Sequence, residues 1–196
     1  MENRWQDPDL VAAAMRGEPE ARERLVDLWL PLVLGWCARL GGPRVDPEDA
    51  AHDTLIVVLD RLPGLREPRC FPAWAFGVTR RVLARHRRQA WVRRWVPGLA
   101  PEAADPDATP YHGARLSETS RRVQAALEQL PAEQREVLVL CDLEERTDLE
   151  VSDLLGIPLG TVKSRLRLGR ARFRRIAEET SLASLVPEGA GGGGSP

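Results

Sequence analysis

The residues best equipped for chemistry in this sequence are arginines gathered in two blocks. Residues 61–98 hold 10 Arg against one Glu, and residues 156–177 hold 7 Lys/Arg and no acid. An acidic stretch precedes each block: residues 1–60 carry 6 Arg against 12 Asp/Glu, and residues 118–155 carry 4 Arg against 10. The whole-chain net charge of −1 conceals this pattern. Two separate cationic blocks are the footprint of a chain that touches a polyanion at two places. Of the 28 basic residues 27 are Arg, whose planar fork suits phosphates and base edges.

In the first block, residues 71–95 carry helical periodicity. Arg80, Arg81, Arg85 and Arg88 fall within about 140° of one another around the helix, and Trp74 lies in the same arc. Val78, Val82, Ala75 and Leu83 take the opposite side as core. Arginines that track phosphates beside an aromatic stacking surface suit single-stranded or locally melted nucleic acid. Trp74 could equally be core, and Trp29, Trp36 and Trp91 read as core by spacing.

The second block reads as a helix-turn-helix. Thr147-Asp-Leu-Glu150 has capping-box spacing, and the short helix behind it buries Leu149 or Val151 together with Leu154 and Leu155. Gly156 supplies a positive-φ turn, and Ile157-Pro158 leads into the next helix. There Val162, Leu166, Gly169, Phe173 and Ile176 form the buried stripe. Thr161, Lys163, Ser164, Arg167 and Arg170 sit off it, as on a recognition helix offered to a major groove.

A third candidate is the acidic run from Asp46 to Asp53. Asp49 or Glu48 with His52 has a spacing that a helix-bound metal can use, but a carboxylate-bridged centre needs the motif twice, and His86 and His112 are not so placed. An acid cluster at a helix N-terminus, offered to a basic protein partner, fits better. No metal or cofactor is expected. Nor is catalysis, because Ser/His/Asp sets, Cys/His sets and Gly-rich phosphate loops are all missing.

The elements that must position these groups are helices throughout. Asp7-Pro8 and Asp46-Pro47 each place an N-cap acid before a first-turn proline. Leu25, Trp29, Leu32 and Trp36 mark one helix face, which Gly41-Gly42-Pro43 ends; a helix from Pro47 to about Leu62 buries Ala51, Leu55, Val58, Leu59 and Leu62. Residues 97–116 change to Pro, Ala, Asp, Gly and Thr without periodicity. The expected fold is all-α, with two small helical domains (1–96 and 117–178) on a flexible linker (97–116), and a flexible Gly-rich tail (179–196). Cys37, Cys70 and Cys141 are too scattered for a zinc or redox motif and read as small buried hydrophobes. The charged start lacks an apolar h-region and Leu30–Ala38 is too short to span a bilayer, so a cytoplasmic location without a membrane partner is expected.

With these parts in order, the chain resembles the extracytoplasmic-function sigma factors over about residues 7 to 177. Asp9-Leu10-Val11 with Gly17 and Ala21 resembles the start of that family's first conserved region. Asp46, Glu48 and Asp49 with Asp53 resemble the helix that docks on the β′ subunit of RNA polymerase core. Phe71-x-x-Trp74 with Arg80 resembles the element that opens the −10 promoter region. Leu130-Pro-x-x-x-Arg135-Glu-Val137 and Gly156-Ile-Pro-x-Gly160-Thr-Val-Lys-Ser-Arg165-Leu resemble the −35 reading domain. The resemblance implies polymerase core and promoter DNA as partners, with control by an anti-sigma protein. Departures include Arg81 for a common Asn, Arg85 for a common Asp, Glu145 for a common Gly, Asp148 for a common aromatic and Leu168-Gly169 for a common Arg-Ala. The other readings are an autonomous helix-turn-helix regulator, which would bind an operator without polymerase, and a metal-dependent hydrolase.

Overall fold

The computed structural model describes residues 7–95 and 118–179, with the side chains of 93–95 and 118 excepted. The expected linker and nearly all of the expected tail lie outside the described residues. Within them the secondary structure is helical: α1 (Pro8–Met15), α2 (Pro19–Leu40), α3 (Pro47–Arg61), α4 (Phe71–Trp95), α5 (Glu118–Glu128), α6 (Ala132–Leu138), α7 (Asp148–Leu155) and α8 (Leu159–Glu179). Short 3₁₀ turns at Leu62–Gly64 and Pro68–Cys70 precede α4, and a π turn at Val139–Leu143 extends α6.

Helix starts follow the local chemistry. The Asp7 carboxylate accepts from the N–H groups of Asp9 and Leu10, and Asp46 accepts from those of Glu48 and Asp49. Each cap occupies donors that the first turn leaves without intrahelical partners. Helix α2 continues through Pro31, which lies on its exposed side, where water can reach the carbonyl left without a donor.

Helices α1 to α4 share one core. Trp29 stands edge-on to Phe71 and Trp36 edge-on to Phe76, each with ring centroids 4.8 Å apart, and the two tryptophans meet at 6.0 Å. Two threonines are buried in this core, and their hydroxyls donate to backbone carbonyls one turn back: Thr54 to Ala50 at 2.7 Å and Thr79 to Ala75 at 3.0 Å. The α2 stripe runs through Val33 rather than Leu32, which is half-buried, as is Leu59 on α3. Four-residue steps from Leu25 keep to the slanted row that α3 and α4 cover.

Two expectations fail here. Trp91 is 58% exposed, because α4 outruns the bundle and its last buried residue is Leu83. Cys70 is exposed in the turn before α4, while Cys37 is buried and Cys141 half-buried. Burial pushes the Cys37 and Cys141 thiols up to about 12.

Helices α5 to α8 form the second unit. Gly169 on α8 passes so close to α6 that a Cβ would stand 3.2 Å from the Gln134 carbonyl oxygen. This close approach accounts for a glycine at that position. Before α7, Glu145 holds φ 54, the one positive φ on a non-glycine among the described residues. The left-handed region costs such a residue roughly 1–2 kcal/mol, and glycine gives back part of that through chain entropy. Glu145→Gly is therefore expected to stabilise the protein by about 0.5–1 kcal/mol in urea denaturation. A loss of stability would show that the left-handed turn is not adopted.

The two units also touch. Trp36 Nε1 donates to Glu144 at 3.0 Å, Gln124 Nε2 donates to the Ala38 carbonyl at 3.0 Å, and Arg80 Nε donates to Glu136 at 2.8 Å. Helix α4 also packs against α7. These contacts were not expected of two domains on a flexible linker.

Candidate nucleic-acid interface

The α7–α8 pair is built as its local sequence requires. The Thr147 hydroxyl accepts from the Glu150 N–H at 3.3 Å, and Glu150 accepts from the Thr147 N–H at 2.8 Å, closing the capping box. Val151 and Leu154 are the buried residues of α7, while Leu149 is 61% exposed, which settles the alternative between Leu149 and Val151. Gly156 turns the chain at φ 64. Val162, Leu166, Gly169 and Ile176 are buried along α8, with Phe173 half-buried.

This stripe turns the opposite face of α8 outward. Lys163, Ser164 and Arg167 are exposed, and Thr161 is half-buried at the start of the helix. Lys163, Arg167, Arg170 and Arg174 line one shallow groove with Asp148. Arg170 differs from its neighbours, because its guanidinium makes a two-pronged pair with Asp142 at 3.0 and 2.6 Å. It is thus anchored to the π turn behind the helix.

The hydrogen bonds from Thr147 hold the Glu150 carboxyl below its ordinary 4.5. A depressed carboxylate contributes stability that is present above the ordinary value and lost as pH falls through the folded one. Thr147→Ala should cost about 1 kcal/mol at neutral pH. The difference between the two proteins should shrink on acidification below 4.5, as urea midpoints measured from pH 7 to pH 3 would show. A gap of constant size would show that the Thr147 hydroxyl does not share in holding the Glu150 carboxylate.

On α4, Arg80, Arg81, Arg85 and Arg88 are all exposed, opposite buried Ala75, Val78, Val82 and Leu83. Trp74 is half-buried and rests on Phe71 with centroids 5.9 Å apart, so one part of it packs and another meets solvent. Two of the four arginines have acidic partners. Arg80 pairs with Glu136 of α6, and Arg85 pairs with Asp53 of α3. His86 shares Asp53 at 2.8 Å, and this hydrogen bond, with the nearby Arg85, holds the Asp53 carboxyl below its usual value. Burial pushes the Glu136 carboxyl upward, against the pull of Arg80, Arg87 and Arg165.

The acidic α3 start divides into different tasks. Asp46 is the cap, Asp49 is exposed, and Asp53 is committed to α4. Glu48 lines a groove between α2, α3 and α5, with one carboxylate oxygen buried and without a hydrogen-bond partner. His52 points to solvent. Among the described residues no three His, Cys, Asp or Glu side chains gather as a metal site would need, and no helix is long and apolar enough to cross a membrane.

Sequence reasoning missed Glu136, Asp142 and Glu144, the acids that receive Arg80, Arg170 and Trp36. Their partners lie 28 to 108 residues away, so no local spacing announces them.

Comparisons agree with this geometry. Residues 25–93 match the family described as Sigma-70 region 2, and residues 120–173 match Sigma-70, region 4. The ECF RNA polymerase sigma factor SigE of Mycolicibacterium smegmatis is 35% identical over 144 residues, spanning 69% of this chain and 53% of that one. The ECF RNA polymerase sigma factor ShbA of Streptomyces griseus is 31% identical over 87% of this chain and 94% of its own. Among solved structures, CnrH in complex with the cytosolic domain of CnrY superposes with a TM-score of 0.64 at 23% identity, over 89% of this chain and 98% of that one. RpoE in complex with the anti-sigma factor NepR from Bartonella quintana gives 0.59 at 22%, over 80% and 96%. At these identities the solved structures bear on the fold alone.

Proposed function

We propose, since this chain belongs to the extracytoplasmic-function group of sigma-70 RNA polymerase sigma factors, how its own residues divide the work of starting transcription. As a member it binds RNA polymerase core and directs promoter recognition. The amino-terminal domain, 1–96, takes core polymerase and the −10 element, and 117–178 takes the −35 element, with 97–116 as the tether. Lys163, Ser164 and Arg167 read the −35 duplex, and Thr161 and Arg170 set the helix against its backbone. Arg81, Arg88, Arg80 and Arg85 hold the −10 strand as it separates, and the solvent side of Trp74 stacks on a displaced base. Extruding a base costs a few kcal/mol, and stacking and phosphate contacts of ~1–3 kcal/mol each offset it. Asp49, with Asp46, Glu48 and Asp53 around it, meets the β′ subunit.

One observation carries this reading: the exposed cationic face of α8 stands behind a capped α7 and a left-handed Gly156. The chain acts by binding, in the cytoplasm, and catalyses nothing itself. An anti-sigma protein as regulator is proposed by likeness to RpoE, whose structure holds the anti-sigma factor NepR. A gel shift separates this reading from an autonomous regulator. Promoter duplex should shift specifically only when core polymerase is added, and strong specific binding by the chain alone would favour the regulator.

A further inference from the structure

Leu168 is 43% exposed on α8, inside a stretch, 156–177, that holds 7 Lys/Arg and no acid. Its neighbours hold it there. A Cβ on Gly169 would stand 3.2 Å from the Gln134 carbonyl oxygen, so the helix faces α6 at that residue. Leu168 comes one residue earlier, about 100° round the helix, on the solvent side. Arg165 pairs with Glu133 of α6 at 2.7 Å, and Arg170 pairs with Asp142 of the π turn at 2.6 Å. These contacts fix the roll of α8 with Leu168 outward. Ser164, Ala171, Arg172 and Arg175 lie within about 60° of it around the helix, and all four are exposed. Ser164 and Ala171, about a turn before and after, are short, so the leucine stands above them.

We propose that Leu168 selects a thymine in the −35 element by covering its 5-methyl group. This rests on the reading of α8 as the −35 helix and deepens it. A leucine side chain has no donor, no acceptor and no charge, so it can bond neither a base edge nor a phosphate. The apolar group that base pairs present in the major groove is the thymine methyl. Lys163, Arg167 and the arginines around Leu168 draw the DNA backbone to this face without regard to sequence. Once the face is seated, a methyl opposite Leu168 takes apolar surface out of water on both sides. A cytosine there would put its N4 amino group against the leucine and deprive that donor of water. The arginines thus supply affinity, and the leucine supplies discrimination at one base pair.

The test titrates holoenzyme with promoter duplexes in which each −35 thymine, on either strand, is replaced in turn by deoxyuridine, which lacks only the methyl. One replacement should weaken the parent about 3- to 5-fold, the contribution of one buried methyl group. Leu168→Ala should not respond to that replacement, and should keep the parent's urea midpoint because the side chain is exposed. Leu168→Arg should also ignore the methyl, while its salt dependence steepens by about one unit of slope for the phosphate contact it gains. Equal responses of the parent and Leu168→Ala to every deoxyuridine would overturn the proposal. So would a Leu168→Ala chain that binds core polymerase more weakly and keeps the thymine preference, the result expected of a leucine that meets protein. Lys163→Ala/Arg167→Ala holoenzyme separates this claim from the reading beneath it. A loss of promoter affinity in that variant beside a flat deoxyuridine series removes only the role of Leu168, whereas full affinity removes the −35 reading of α8 first.

Discussion

Trp36→Ala is expected to cost about 3–5 kcal/mol, the usual range for truncating a buried tryptophan. Trp36 has no exposed surface, meets Phe76 and Trp29 edge-on, and donates its indole N–H to Glu144. Its removal empties the meeting point of α2 and α4 and leaves a nearly buried carboxylate short of a donor. Total stabilities of single domains are about 5–15 kcal/mol, so most of the margin goes. Urea denaturation followed by circular dichroism measures this. Trp36→Phe separates the causes, since it keeps most of the packing and loses the hydrogen bond, at about 1–2 kcal/mol. A loss under about 1 kcal/mol for the alanine variant would mean that the core is centred elsewhere.

Lys163→Ala/Arg167→Ala should have the largest effect on function. Both side chains stand in solvent on α8, so the double variant should fold with unchanged stability. Each contact to a base or phosphate is worth about 1–3 kcal/mol, so holoenzyme should lose about 30-fold to 10⁴-fold in affinity for promoter duplex. The salt dependence should also weaken, by about one unit of slope for each phosphate that is no longer neutralised. Fluorescence anisotropy against salt reads both quantities. An affinity within threefold of the parent would remove α8 from the −35 element.

Much of this was legible because it is local. Asp7, Asp46 and Thr147 announce helix starts within four residues of themselves, and Gly156 announces its own turn. The α8 stripe is a one-helix pattern, so its solvent face followed at once. Trp91 misled, because spacing says which face of α4 a residue is on but not where the bundle that covers that face ends. The interdomain contacts were hidden for a different reason. A charge tally records acidic and basic stretches, but not that Glu136 of one unit sits on Arg80 of the other. The departure at Glu145 was visible as an unusual residue for the family, and only the backbone dihedral shows that its cost is conformational.

The second prediction presupposes that this protein turns core polymerase into a promoter-specific enzyme. Run-off transcription measures that directly, with purified core, the full chain and linear genomic fragments. Discrete transcripts should start from a small set of fragments with the chain present and from none without it. Properly folded chain that yields no discrete transcript on any fragment would contradict the sigma-factor assignment itself.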